Sequence, residues 1–180
     1  MACWCHPSGY GIGALDLMKV SQMELAEEVL SLARTKGFKI ATAESCTGGL
    51  IAGALTDIAG SSDVVDRGFV TYSNEAKQQM LDVKSVTIQK FGAVSEATAK
   101  EMAFGALANS MADITVSVTG VAGPGGGSAD KPVGLVWFGL AEVGQPPRAE
   151  KKLFGDIGRE AVRRETVLHA LSMLRQSLSV

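Results

Sequence analysis

Two short segments and one glycine run hold the residues of this sequence best equipped for chemistry. Ser45 stands in Ala43-Glu44-Ser45-Cys46-Thr47-Gly48-Gly49, between a β-rich stretch and a helical one. That position is a strand-to-helix junction, the edge at which open α/β sheets bind ligands. Free N–H groups at a helix entrance can stabilise the oxyanion formed when a hydroxyl attacks a carbonyl. The plainer alternative is that Ser45 or Thr47 only caps the helix. The segment is not a G-x-S-x-G elbow.

A serine nucleophile needs a base, and the histidines give little choice. His6 lies in an irregular N-terminal stretch and His169 lies deep in the last helical segment, so a Ser-His-Asp triad is not expected. Lysine serves instead where burial or nearby positive charge disfavours its ammonium form. Lys77, one turn into a helix that opens after Ser73, is the best placed candidate. Tyr72, at the end of the preceding strand, could relay a proton or orient the amine. A solvated lysine and a packing tyrosine remain the alternative. Cys46 could also attack an amide, but no histidine is placed to activate it.

Thr119-Gly120-Val121-Ala122-Gly123-Pro124-Gly125-Gly126-Gly127-Ser128 follows a third strand, and five of the eight residues from Gly120 to Gly127 are glycine. Such a backbone can approach a ligand closely and form an anion-binding nest; a mobile surface turn is the other reading. It is not a P-loop, because the G-x4-G-K-[ST] order is absent. Arg159 and Arg163 sit one helical turn apart near the start of the last helix. Their guanidinium forks suit a phosphate, and equally suit salt bridges.

The elements that must position these groups alternate. Ser21-Gln22-Met23-Glu24 is a capping box, and Gly37 is placed to end the helix it starts. A strand over 38–43, a helix over 50–58, a strand over 64–72 closed by Tyr72, and a helix after Ser73 follow. Ser95 caps an alanine-rich helix to about Asn109, suited to close packing on a sheet. Ile114, Val116 and Val118 alternate with polar residues as a strand. Leu135 to Ala141 is apolar throughout and predicts a strand covered on both faces. An edge strand over 150–154 and a long terminal helix complete the order. This alternation predicts a three-layer α/β/α sandwich with a mixed, mostly parallel sheet.

Composition sets the outer bounds. The chain has 180 residues, 46% hydrophobic and 20% charged, which suits one globular domain. A net charge of −2 without a basic run leaves no footprint for nucleic acid. No apolar run approaches the roughly 18 residues of a membrane span, and no signal peptide is visible. The three cysteines make no disulfide framework, so a cytoplasmic protein with reduced thiols is expected. Residues 1–20 read as an irregular arm, with Met18 and Met23 as alternative starts, and 21–180 as the domain. Cys3, Cys5 and His6 lack metal-site spacing.

Taken together, A-E-S-C-T-G-G at 43–49, Y-S-N-E-A-K at 72–77, G-A-V-S at 92–95, T-G-V-A-G-P-G-G at 119–126 and G-D-x-x-R at 155–159 resemble the CinA C-terminal domain family over 21–179. The resemblance implies a sheet of about five strands with one antiparallel member, and a homodimer or higher homo-oligomer. It also implies hydrolysis of nicotinamide mononucleotide to nicotinate mononucleotide and ammonia, in pyridine nucleotide salvage, without metal or cofactor. Ser45 would be the nucleophile, Lys77 the base and Tyr72 a hydrogen-bonding helper. Thr119 and Gly120, with backbone groups around Cys46, Thr47 and Gly48, would supply the oxyanion and amide contacts, Arg159 would anchor the substrate, and Glu44 and Gly123 would complete the substrate contacts. The competing expectation is a non-catalytic nucleotide-binding regulatory module. A role in DNA uptake or repair finds no basic surface or stacking motif to support it.

Overall fold

A computed structural model describes residues 21–180; the arm at 1–20, with Cys3, Cys5 and His6, lies outside the described residues. The chain runs α1 (Gln22–Lys36), β1 (Ile40–Glu44), α2 (Leu50–Thr56), β2 (Val65–Val70), α3 (Asn74–Leu81), α4 (Ser85–Phe91), α5 (Glu96–Ala108), β3 (Ile114–Gly120), β4 (Leu135–Glu142), β5 (Arg148–Leu153) and α6 (Arg159–Leu178). The strands form one sheet in the order β2-β1-β3-β4-β5. β1 pairs in parallel with both β2 and β3, whereas β4 runs antiparallel to β3 and to β5. Four strands therefore point one way and β4 alone opposes them, as expected.

Helices cover both faces. The larger core joins α1, α2 and α6 to one side of the sheet through residues such as Leu30, Leu55, Val116, Phe138, Leu171 and Leu174. The smaller core, with Ala41, Phe69, Leu81 and Met102, lies under α3 and α5. This is the three-layer sandwich that the alternation of elements predicts.

Local signals account for several boundaries. Ser21 and Glu24 form the reciprocal capping box, and Gly37 ends α1 at φ 68°. The Ser95 hydroxyl accepts from the Thr98 N–H to start α5. The small residues of α5 let it press directly on the sheet, where Ser117 donates to the Ala99 carbonyl at 2.6 Å and Thr115 to that of Ala103 at 2.7 Å. Gly139, in the middle of β4, is required there because a Cβ would overlap the same Ala99 carbonyl. β4 lies between β3 and β5 with most of its residues buried, and β5 is the exposed edge.

One expectation needs correction, and one helix lies outside the expected order. β2 ends at Val70, so Tyr72 lies beyond the strand in the segment leading to α3. A short helix, α4, occupies Ser85–Phe91, a stretch where the sequence shows no cap. It is held from outside, by Glu101 of α5, which accepts from the Lys84 N–H at 2.8 Å and the Thr87 hydroxyl at 2.7 Å.

Candidate active site

The parallel set β2-β1-β3 brings three carboxyl ends side by side, and the site is built on the three segments that leave them. The ladder continues past the strand ends: Ser45 N–H donates to the Val118 carbonyl at 3.1 Å, and Thr71 N–H to that of Glu44 at 2.8 Å. Ser45 is thereby held between its neighbours on rigid backbone.

Lys77 reaches Ser45 from the other side of the junction. Ser73 caps α3, its hydroxyl accepting from the Ala76 N–H at 3.0 Å, so the helix starts directly after the β2 exit and points its first inner residue at the sheet edge. The Lys77 Nζ lies 3.0 Å from Ser45 Oγ and 2.9 Å from the Thr71 carbonyl, with the carbonyls of Tyr72 and Ser73 each at 3.4 Å. Lys77 is 1% exposed and has no ion-pair partner among the described residues. Burial pulls its pKa below the ordinary 10.5, against weaker opposing contributions from Cys46 and Glu75. A neutral amine there can accept the Ser45 proton while its own N–H groups hold the carbonyls. The solvated-lysine alternative is excluded by this burial.

Cys46 has the opposite character. Burial pushes its thiol up to about 12, with Glu44 adding to the rise and Lys77 and Arg163 opposing it. A thiol held protonated is inert as a nucleophile. His169 is also engaged elsewhere, paired with Glu150 of β5 and packed edge-on against Phe138 at 4.5 Å between ring centroids.

Ser45, Cys46 and Lys77 open into a cavity of about 210 Å³ whose walls include Ala93, Val94 and Ala122. Thr119, Gly120, Tyr72, Asn74 and Arg159 complete it. Val94 is fixed by the turn before α5, where the Ser95 and Thr98 hydroxyls both donate to the Gly92 carbonyl at 2.9 Å. The Thr119 hydroxyl donates to the Ala93 carbonyl at 2.9 Å. A broader depression of about 400 Å³ adjoins across Val94, lined by Phe91, Trp137, Lys131 and Lys151, and contains neither Ser45 nor Lys77.

Four residues expected at the substrate lie outside this cavity. The Glu44 carboxylate is fully buried and accepts from the N–H groups of Gly49, Ile51 and Ala52 and from the hydroxyls of Thr42 and Thr47. Thr47 is buried with it. Gly48, at φ 62°, is exposed, and its N–H donates to the Ser45 carbonyl at 3.1 Å. Gly123 offers its carbonyl to Arg159 at 3.0 Å. The Tyr72 phenol also departs from expectation: it turns away from the amine and accepts from Arg159 at 3.2 Å. Only the backbone carbonyl of Tyr72 meets Lys77.

The two arginines of α6 do not share one target. Arg159 bridges Tyr72 and Gly123, while Arg163 donates to the Thr47 carbonyl at 2.9 Å. Neither has a carboxylate partner among the described residues, so the salt-bridge alternative falls away.

A model of the CinA C-terminal domain family matches residues 22–178. The chain belongs to the CinA C-terminal domain family. Its relatives include the nicotinamide-nucleotide amidohydrolase PncC of Enterobacter agglomerans, 53% identical over 82% of this chain and 90% of that protein. The enzyme of the same name from Escherichia coli K12 is 50% identical over 86% and 93%. A putative competence-damage inducible protein of Caldicellulosiruptor bescii is 48% identical over 88% of this chain, which spans only 38% of that longer protein. Among solved structures, the competence/damage inducible protein CihA of Agrobacterium tumefaciens superposes with a TM-score of 0.86 at 52% identity, covering 92% of this chain and all of the other.

Within this member of the CinA family, residue-by-residue reasoning passed over Asn74, Ala93, Val94 and Ala122. Each lies inside one of the quoted motifs, so the signal was present but not at a chemically reactive residue. Among the described residues no helix is long and apolar enough to cross a membrane.

Proposed function

We propose that this chain hydrolyses the carboxamide of nicotinamide mononucleotide, releasing ammonia and nicotinate mononucleotide, with Ser45 as nucleophile and Lys77 as general base. The observation that carries the reading is a buried lysine amine, free of any carboxylate partner among the described residues, 3.0 Å from a serine hydroxyl at a sheet edge. The amidohydrolase names of relatives matched over most of both chains support the substrate. A module that only held a nucleotide would have no use for this amine, whose burial is unfavourable.

In the first half-reaction the neutral Lys77 amine takes the Ser45 proton as Oγ bonds to the amide carbon. Of the N–H groups from Ser45 to Gly53, only those of Cys46 and Thr47 are left without an oxygen acceptor among the described residues, and of these two residues Cys46 lines the cavity, which makes its N–H the donor for the oxyanion. Lys77 then passes its proton to the amide nitrogen, the C–N bond breaks and ammonia leaves. In the second half-reaction water gives a proton to Lys77 as its oxygen bonds to the ester carbon; Lys77 then returns that proton to Ser45 Oγ as the ester C–O bond breaks, and the carboxylic acid departs.

A cavity of about 210 Å³ is below the roughly 300 Å³ usual for a whole small-molecule site. It suits the pyridine carboxamide, leaving ribose and phosphate at the rim. There Arg159 holds only the neutral Tyr72 hydroxyl and Gly123 carbonyl, and a phosphate is the stronger partner for its fork. The proposal includes a homo-oligomer in the cytoplasm, checked by light scattering and fractionation. The decisive assay compares ammonia release from nicotinamide mononucleotide, free nicotinamide and the dinucleotide. The mononucleotide is expected to be preferred; preference for free nicotinamide would overturn the phosphate anchor.

A further inference from the structure

We infer that Glu44 is a positioning residue for this reaction: its buried carboxylate clamps the nucleophile turn and decides which backbone N–H groups are left to meet the oxyanion. The inference rests on the Ser45–Lys77 reading above and assigns a role to a residue that touches neither the cavity nor the amine.

Both carboxylate oxygens are fully used. Oε1 accepts from Ala52 N–H at 2.8 Å and Thr42 hydroxyl at 3.2 Å; Oε2 accepts from Thr47 hydroxyl at 2.6 Å, Gly49 N–H at 3.1 Å and Ile51 N–H at 3.0 Å. A buried charge is tolerable only with such a set of donors. Two consequences reach the site. The bond to Thr47 closes a loop from residue 44 to residue 47, so Ser45 and Cys46 project from a turn tied at both ends. Arg163, from α6, holds the Thr47 carbonyl on the other side. In addition, Glu44 takes the N–H groups that the entrance of α2 would otherwise offer and opposes its dipole. The N–H groups left over lie inside the clamped turn, at Cys46 and Thr47, within the Cys46–Gly48 stretch where the family resemblance puts oxyanion contacts, and Cys46 is the one of the two that lines the cavity.

Glutamine cannot reproduce the arrangement. It presents one acceptor and one NH2, and whichever oxygen position the NH2 takes, it faces a backbone N–H, donor against donor. The turn must shift to relieve this. A shift near 1 Å at a reacting atom lowers turnover by about 100-fold.

The test measures kcat and KM for nicotinamide mononucleotide in Glu44→Gln, Thr47→Val and Thr47→Ser, with thermal unfolding as the check on folding and Ser45→Ala as control. Glu44→Gln is expected to lose about 100-fold in kcat with KM within threefold of the parent, because Glu44 itself does not line the cavity. Thr47→Val, which removes one donor and keeps the carboxylate, is expected to lose about tenfold in kcat, and Thr47→Ser to restore it. The Thr47 pair decides the matter if Glu44→Gln does not fold. Unchanged kcat in the folded variants, an effect confined to KM, or failure of Thr47→Ser to restore kcat would overturn the inference while leaving the amidase reading intact. Turnover by Ser45→Ala at the parent rate would instead overturn the amidase reading.

Discussion

Lys77→Met keeps a side chain of similar reach and removes only the amine. An amine at the ordinary 10.5 would be neutral in only about one molecule in 3,000 at pH 7, a handicap of roughly 5 kcal/mol on any step needing the free base. Burial lowers that handicap tenfold for each unit by which it lowers the pKa. The same shift must appear in stability. In the unfolded chain Lys77 titrates at the ordinary value, whereas in the native chain it titrates lower. Between those two pKa values the unfolded chain holds the extra proton, so stability rises with pH, at up to about 1.4 kcal/mol per pH unit. Above 10.5 the penalty is gone; below the native pKa it is complete and constant. Removing the amine also strips the Thr71 carbonyl of its donor, which costs about 1–3 kcal/mol at every pH. That offset displaces the curve without tilting it.

Urea unfolding of parent and Lys77→Met from pH 6 to 10 separates the two effects, since all other titrating groups cancel in the difference. Parent-minus-variant stability is expected to climb with pH, and kcat to fall by about 1,000-fold, within the range of lost general-base catalysis. A flat difference across the whole range would mean that Lys77 is an ordinary ammonium held by carbonyls. The base assignment would then be refuted.

Other expected outcomes follow from single contacts. Ser45→Ala, Lys77→Met and the double variant should lose activity to a similar extent, because the two groups act as one unit; additive losses in steady-state assays would argue against a dyad. Cys46→Ser should keep kcat within threefold, given a thiol pushed up to about 12, and a 100-fold loss would make the sulfur the nucleophile. Arg159→Ala should raise KM for the mononucleotide by about 10- to 100-fold, the loss of a charged hydrogen bond, while leaving free nicotinamide unaffected; equal effects on both would remove the phosphate anchor. Gly105→Ala places a Cβ against the Leu81 backbone carbonyl, so α3 and α5 must part; a loss of about 1–3 kcal/mol by urea unfolding is expected, and no loss would contradict the close approach.

Features whose causes are local were readable in the amino-acid sequence. The Ser21-Glu24 box, the Gly37 cap and the Ser95 cap depend on residues within one turn of each other, and all three are present. The placement of Ser45 and Lys77 at two strand-to-helix junctions followed from the order of elements alone. Their 3.0 Å contact did not, because Asn74-Glu75-Ala76-Lys77-Gln78 reads as a solvated helix start until the pairing of β2 with β1 sets their exits side by side. Glu44 was misread as a substrate contact for a similar reason: its partners are N–H groups five to eight residues ahead, and no local pattern shows which way a strand-end carboxylate turns. The Tyr72 phenol was assigned to the wrong partner because Arg159 lies 87 positions away. α4 was missed because its anchor, Glu101, belongs to another helix.

The account stands most directly on a covalent intermediate at one atom. Rapid acid quench of the enzyme turning over nicotinamide mononucleotide, followed by peptide mass spectrometry, should find the substrate less ammonia as an ester on Ser45, and no adduct in Ser45→Ala. An adduct on Cys46, or undiminished turnover by Ser45→Ala, would contradict it.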